Sequence, residues 1–345
     1  MKKLLLIGSA SIHVLNYYNL VRDYFDDACI ISNESAFGDI PTHIVSFSIR
    51  NPIGIPSSIR KIKQVINSFQ PTVIHIHQAN SVAWLSMRAA AGSGIPIVLT
   101  AWGDDILVHP NQNSLLRKMV VRNLFDASIL TSDSLYMAGE MQNLIPEKPL
   151  DIVVANFGID VAKQTVTKEN IVYSNRLHKP MYRIDSIIKA FAKFHKTEKG
   201  KSWKLVIAGD GTESGYLKNL VYSLELDAHV EFKGWLSQEE NKAQYLKSKI
   251  FVSVPNSDAT SISLLEALDA GCIPVLSNLP ANLEWVLDGV NGHIVKNMDS
   301  DFISPALDLD NNSVTTLNRK LIEMRATKSV NRDKFLGIYN RLLNK

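Results

Sequence analysis

Short runs of apolar and β-branched residues alternate with helix-length amphipathic segments along almost the whole chain. Such runs, recurring between helices, mark a parallel sheet covered on both faces, because crossover helices leave no sheet face for solvent. In the first half the runs are Leu4–Ile7, Cys29–Ile31, His43–Phe47, Val73–His77, Ile97–Thr100, Ser128–Leu130 and Ile152–Val154. In the second half they are Ile171–Tyr173, Lys204–Ala208, Val230–Phe232, Ile250–Val254, Ile273–Leu276 and His293–Val295. The class is α/β, and one architecture occurs twice without any repeat of sequence.

A chain of 345 residues exceeds one compact core, so two domains are expected. The turn-rich stretch Asn156–Asp160 and the polar run Lys163–Asn170 read as a linker between an N-terminal domain, 1–160, and a C-terminal domain, 161–327. Two further helical segments follow, Val314–Arg325 and Val330–Leu343, and the last, within 328–345, is expected to pack back on the N-terminal domain. The 37 basic and 34 acidic residues leave a formal charge of +3 that is spread along the chain, which argues against a nucleic-acid partner. Cys29 and Cys272 sit beside strand-like runs as small core residues, which suits a reducing compartment. No apolar run approaches the ~20 residues that span a bilayer, so the expectation is a cytoplasmic protein whose membrane contact, if any, is peripheral and on the inner surface.

The segment Pro255–Leu268 carries the most chemistry, because it joins a strand end, a polar loop and a helix start, the place where open α/β sheets bind ligands. With Thr260 or Ser261 as the cap, the backbone N–H groups of Ser261, Ile262, Ser263 and Leu264 point out of the helix toward any anionic diphosphate. Glu266 falls in a helix that is apolar almost all round, and burying its carboxylate requires a partner: ribose hydroxyls, a buried Arg or a backbone amide. Gly209-Asp210-Gly211 follows a strand, but without a full glycine fingerprint and its spaced carboxylate no redox cofactor is indicated.

Asp258 and Glu266, eight positions apart and followed by Ala267-Leu268-Asp269-Ala270-Gly271-Cys272-Ile273-Pro274, resemble the hallmark of the retaining family 4 glycosyltransferases. The resemblance covers most of residues 170–296 and implies the GT-B fold: two Rossmann-like parallel-sheet domains facing across a cleft. It implies a nucleotide-sugar donor, a saccharide or lipid-linked acceptor and no cofactor. By the same resemblance Asp258 contacts the donor sugar, Glu266 the ribose, and the Ser261–Leu264 amides the phosphates, with Thr260 alongside. Arg176, in Tyr173-Ser174-Asn175-Arg176-Leu177, matches the family's diphosphate cation, whereas the second cation, a Lys about five residues on, falls at Met181 or Tyr182. Lys179 and Arg183 are nearby substitutes or solvated charges around Pro180. Gly209, Gly211, Gly234 and Trp235 correspond to the border of the nucleotide pocket, with plain packing the alternative for Trp235. The first acidic position is Asp where the family usually has Glu.

In the first half three strand ends offer acceptor contacts. Ser9 and His13 follow the first strand, with a helix-start role equally open for His13. His75 and His77 alternate onto one face of their strand, which raises a metal reading, but no third ligand stands nearby in sequence and His77 reads better as an acceptor residue. Ala101-Trp102-Gly103-Asp104-Asp105-Ile106 resembles a Trp-Gly-Ser-Asp-Ile segment of the family, so Asp104 and Asp105 are either acceptor contacts or a turn and helix cap. The implied activity is hexosyl or N-acetylhexosaminyl transfer from a nucleotide sugar, with a UDP-sugar the expected donor and a nucleotide-sugar epimerase and a non-catalytic partner subunit as rival classes.

Overall fold

The computed structural model describes residues 1–35, 40–161 and 166–344, so the beginning of the expected linker run, 163–165, lies outside the described residues. The strands are β1 Lys3–Ile7, β2 Asp27–Ser32, β3 Thr42–Ile44, β4 Val73–His77, β5 Ile97–Thr100, β6 Ile129–Ser132, β7 Ile152–Val154, β8 Glu169–Ser174, β9 Lys204–Ala208, β10 Val230–Gly234, β11 Ser248–Ser253, β12 Ile273–Ser277 and β13 His293–Val295. They form two sheets, ordered β3-β2-β1-β4-β5-β6-β7 and β10-β9-β8-β11-β12-β13, and the strand pairs are parallel throughout. The chain divides into two compact units: Met1–Gly158 with Lys328–Lys345, and Ile159–Thr327. This is the GT-B α/β architecture, two Rossmann-like domains.

Each sheet starts at a middle strand, grows outward on one side, then returns past that strand to build the other side. The reversal opens a crevice at the carboxyl ends of β1 and β4 in one unit, and of β8 and β11 in the other. The second unit shows why its strands are apolar throughout: Leu205, Ile207, Ile250 and Val252 join a core on one face of the sheet. Their neighbours Val206, Ala208 and Phe251 join a core on the opposite face. Period-two alternation thus feeds two cores at once.

In the first unit Leu4, Leu6, Val73, Val98 and Ile129 face a core completed by Phe335, Ile338 and Tyr339. Those three belong to the helix Lys328–Leu343, which crosses to the first sheet at the end of the chain. His75 shares the face of Val73, and its ring nitrogens bond the Tyr339 and Thr100 hydroxyls, each at 2.7 Å. Thr100 bonds Thr131 at 2.6 Å, and Tyr339 bonds Tyr17. A chain of buried polar groups, each satisfied by the next, therefore pins the last helix in register. The expected strand His43–Phe47 stops at Ile44, because its neighbour β2 ends at Ser32; one further bond, from the Val45 amide to the Ser32 carbonyl at 2.8 Å, closes the ladder. No helix among the described residues is long and apolar enough to cross a membrane.

Replacing Tyr339 by Phe strands one nitrogen of buried His75 without a partner. The expected cost is about 1–3 kcal/mol, read as a lower urea midpoint for the unit containing β1–β7, while Tyr24→Phe, at an exposed hydrogen bond to Asn340, costs less.

Candidate active site

In the second unit the crevice between β8 and β11 is organised around one guanidinium. Arg176, two residues past β8, donates from Nη2 to Asp258 Oδ2 at 2.8 Å and from Nη1 to Ser261 Oγ. Its side chain is 11% exposed and that of Asp258 21%, so the pair is shielded but not sealed. Burial is the largest influence on Arg176 and would lower its pKa; the Asp258 carboxylate, with Tyr182 and Tyr245 adding to it, turns the balance and raises the value, which keeps the cation charged. The Tyr182 ring lies 4.6 Å below the guanidinium.

Ser261 caps the helix Ile262–Asp269 without a side-chain capping bond, since its hydroxyl is taken by Arg176. The Leu264 amide bonds the Ser261 carbonyl at 3.1 Å. That amide is drawn into the first turn, so the expectation that Leu264 offers a donor to an anion is corrected; the outward positions are Ser261, Ile262 and Ser263. Thr260 is buried, and its hydroxyl accepts from Trp285 Nε1 at 3.3 Å.

Glu266 is half-buried one turn further on. Burial raises the pKa of Tyr173 and Tyr245, and the Glu266 charge raises both further, which places its carboxylate beside these phenols. Tyr173 donates to Asn241 at 2.6 Å, and Asn175 donates to Asn241 at 3.1 Å and to the Tyr245 hydroxyl at 2.6 Å. Sequence reading passed over this polar floor. The signal was present, since Asn241 and Tyr245 stand one helical turn apart on Gln238–Lys247 and Asn175 adjoins Arg176.

Two backbone devices hold the loops. Arg183, in the left-handed region at φ 50°, donates from Nε to the Val254 carbonyl and from Nη2 to the Pro255 carbonyl, both at 2.7 Å. It is thereby a clamp on the loop that carries Asp258. Gly209, at φ 100°, approaches so closely that a Cβ there would lie 2.7 Å from the Arg176 carbonyl; one on Gly211 would lie 2.5 Å from the His178 carbonyl. These glycines let the loop after β9 press against the loop that carries Arg176.

In the first unit the strand ends gather aromatic rings. Trp102 Nε1 donates to His77 Nδ1 at 3.2 Å, so the neutral His77 ring carries its proton on Nε2, which has no hydrogen-bond partner among the described residues. Burial, then the neighbouring His13, pushes the His77 pKa down to about 3. His13 keeps an exposed edge while its ring meets Trp102 at 5.3 Å and Phe157 at 5.9 Å. Ser9 donates to Gln78 Oε1 at 2.9 Å, and Gln78 itself adopts a left-handed φ of 79° at the tip of β4. Asp104 is exposed. Asp105 is buried, and its carboxylate accepts from the Ala79 amide at 2.6 Å and the Trp102 amide at 3.0 Å. Both oxygens are thus spent on stapling two strand-end loops, so an acceptor contact from Asp105 is replaced by a positioning one.

Two family models fit these two units in turn: glycosyl transferase 4-like over residues 2–134 and glycosyl transferases group 1 over 159–309, together most of the chain. The chain is a family 4 glycosyltransferase of the GT-B type. This glycosyltransferase is 23% identical to phosphatidyl-myo-inositol mannosyltransferase of Mycolicibacterium smegmatis over 87% of its own length and 80% of the relative's. It is also 23% identical to GDP-mannose:cellobiosyl-diphosphopolyprenol alpha-mannosyltransferase of Xanthomonas oryzae, over 83% and 76% of the two chains. Among solved structures, Anabaena HepE in complex with UDP shares the fold at a TM-score of 0.81, with 16% identity, 99% of this chain and 100% of that one covered.

The remaining expected donor side chains of the glycosyltransferase are both exposed. Lys179 lies on the surface, and Trp235 is 70% exposed rather than packed, beside Gly234 at φ 63°.

Two outcomes follow from this geometry. Gly209→Ala combines a positive φ with a clash against the Arg176 carbonyl, at an expected cost of about 1–3 kcal/mol, read as a lower urea midpoint for the unit containing β8–β13. An unfolded imidazole protonates near 6.5, whereas folded His77 resists until about 3. Between those values the unfolded chain binds the proton that the folded chain refuses, so stability is full above the upper value and falls as pH drops toward the lower. Urea midpoints measured from about pH 7 down to about pH 4 should decline, and His77→Gln should flatten the slope; parallel slopes would mean that His77 titrates normally.

Proposed function

We propose that this glycosyltransferase takes a hexose or N-acetylhexosamine from a UDP-sugar bound to Ile159–Thr327. It passes the sugar, with retention of anomeric configuration, to a hydroxyl of a saccharide or lipid-linked oligosaccharide in surface polysaccharide synthesis, in the cytoplasm at the inner face of the membrane. The observation that carries the reading is Arg176: a charged, shielded guanidinium in the β8/β11 crevice, next to the Ser261 cap of a helix and one turn from Glu266. HepE with UDP supports the choice of nucleotide, and the Xanthomonas relative makes GDP its rival.

In this reading Arg176 and the Ser261, Ile262 and Ser263 amides take the diphosphate, with Thr260 shaping their loop. Glu266 takes the ribose hydroxyls, and Asp258 a hydroxyl of the donor sugar. Gly209, Gly211 and Gly234 let backbone approach the nucleotide, Trp235 offers a ring face, and Lys179 reaches in from the surface. As the bond from C1 to the phosphate oxygen breaks, its electron pair passes to the diphosphate, where a fixed cation and oriented amides stabilise the growing charge. The acceptor oxygen bonds C1 from the same face and its proton passes to the departing phosphate oxygen, so no enzyme nucleophile is needed. Ser9, His13, His77 and Asp104 form the acceptor side on the first unit, with His77, buried and held by Trp102, lying behind the exposed edge of His13.

Asp258 serves two ligands in turn. Its carboxylate neutralises Arg176 before a donor arrives, and the diphosphate then takes over the guanidinium while Asp258 turns to the sugar. A second reading, a catalytically silent partner subunit, draws on the cation count: Arg183 is committed to carbonyls, and Lys179 is a surface residue.

Thermal-shift titration against UDP-, GDP-, ADP- and dTDP-sugars, followed by donor turnover, separates the two. One donor should stabilise the wild type and not Glu266→Ala, and Arg176→Ala should lower turnover about 100- to 1,000-fold. Asp258→Asn should bind free UDP more tightly, having lost a carboxylate from the phosphate site, while transferring sugar more slowly. Absence of any donor response in the wild type leaves the silent-subunit reading in possession.

A further inference from the structure

Between Ile40 and Gly103 the sequence contains no Asp or Glu. That interval supplies two of the three helices that lie side by side on one face of the first sheet. Ile55–Phe69 packs against Ser81–Ala90, which packs against Ser114–Asp126. Right-handed crossovers from β3 to β4, β4 to β5 and β5 to β6 put all three on the same side. Arg60, Lys61, Lys63, Arg88, Arg117, Lys118 and Arg122 are exposed on them. The three helices carry a single carboxylate, Asp126, paired with Arg122 at 2.6 Å. This one layer holds more positive charge than the +3 of the whole chain, so the rest of the protein is net negative. Charges that look evenly spread along the sequence are gathered by the topology onto one face.

The same face is apolar between its cations. A groove of about 520 Å³ runs along Ser114, Arg117, Lys118, Val121, Arg122 and Phe125, the i, i+3, i+4, i+7, i+8 and i+11 positions that make one face of a helix. Leu115 is 72% and Phe125 44% exposed. Lys148 Nζ stands 4.1 Å over the Phe125 ring, and Arg88 stacks 3.6 Å over Trp84. Aromatic rings capped by cations suit a boundary where ring and charge meet different media.

We propose that this helical layer docks the protein on an anionic phospholipid bilayer, with Leu115 and Phe125 entering the interface and Arg117, Lys118 and Arg122 lying among the headgroup phosphates around the groove. A polynucleotide would use the cations but gives no place to an exposed Leu and Phe interleaved with them, and the lipid surface uses both. The proposal gives the membrane contact of the proposed function its surface, yet rests on none of the donor-site residues.

Co-sedimentation of the full chain with vesicles tests it. The wild type should pellet with vesicles containing phosphatidylglycerol, remain in solution with pure phosphatidylcholine, and be released by salt. Combining Arg117→Glu, Lys118→Glu and Arg122→Glu should lower partitioning by roughly 100-fold. Leu115→Ser with Phe125→Ser should weaken binding while leaving the difference between the two lipids in place. Lys196→Glu, Lys247→Glu and Lys320→Glu, on the other unit, change net charge equally and should leave binding as it was. All the substituted residues are exposed, and matching unfolding transitions confirm that each variant is folded. Equal binding to both lipids, unchanged binding of the Arg117/Lys118/Arg122 variant, loss of binding in the control variant, or binding to RNA with none to vesicles overturns the proposal. Donor turnover without lipid is read in parallel, so a failure here leaves the assignment of the donor site untouched.

Discussion

A parallel sheet joined by crossover helices has both faces covered, and this constraint shapes everything else in the molecule. Side chains that point up or down from a strand must be apolar or must find buried partners, as His75 does with Tyr339 and Thr100. Polar chemistry is driven to the strand ends, and most strongly to the place where the strand order reverses and two loops part. Arg176 after β8 and Asp258 after β11 meet there, where the parted loops leave both side chains in partial reach of solvent. The glycines after β9 and the Arg183 clamp serve that meeting, one by allowing backbone to touch backbone, the other by gripping the carbonyls of Val254 and Pro255.

The electrostatics of the crevice are set by a contest between burial and pairing. Taking Arg176 away from water weakens its charge, and the carboxylate 2.8 Å away together with the Tyr182 and Tyr245 phenols more than restores it. A site so arranged is neutral as a pair and gains its positive character only when the carboxylate is drawn elsewhere. In the first unit the balance falls the other way: burial wins over both His75 and His77, which remain neutral and act through hydrogen bonds rather than charge.

Strand positions are legible in the sequence because double burial leaves an unbroken apolar run; several ends move by one or two residues, and β3 departs furthest, since its length is limited by where β2 ends. The Asp258, Glu266 and Arg176 positions could be read because their spacing is local to loop and helix. The Ser261 hydroxyl could not be assigned, for its partner lies in a loop more than eighty positions away. For Asp105 the sequence left an acceptor contact and a turn or cap open; the Trp102 amide that claims it is local, but the Ala79 amide belongs to a loop brought alongside only by the sheet. Arg183 shows the same limit: its charge was visible, but whether an arginine faces a phosphate or a carbonyl depends on backbone placed by another strand. The basic helical layer was hidden for the converse reason, since cations distant in sequence become neighbours only after the crossovers fold.

The return of Lys328–Leu343 to the first sheet makes the second unit an insertion within the first. A chain synthesised from its amino end can finish the second unit while the first still lacks Phe335, Ile338 and Tyr339, the residues that cover one face of its core. During that interval Leu4, Leu6, Tyr17 and His75 face solvent or a chaperone instead of their final partner. Order of assembly is thereby written into the topology: the nascent first unit waits, incomplete, for the last helix to emerge.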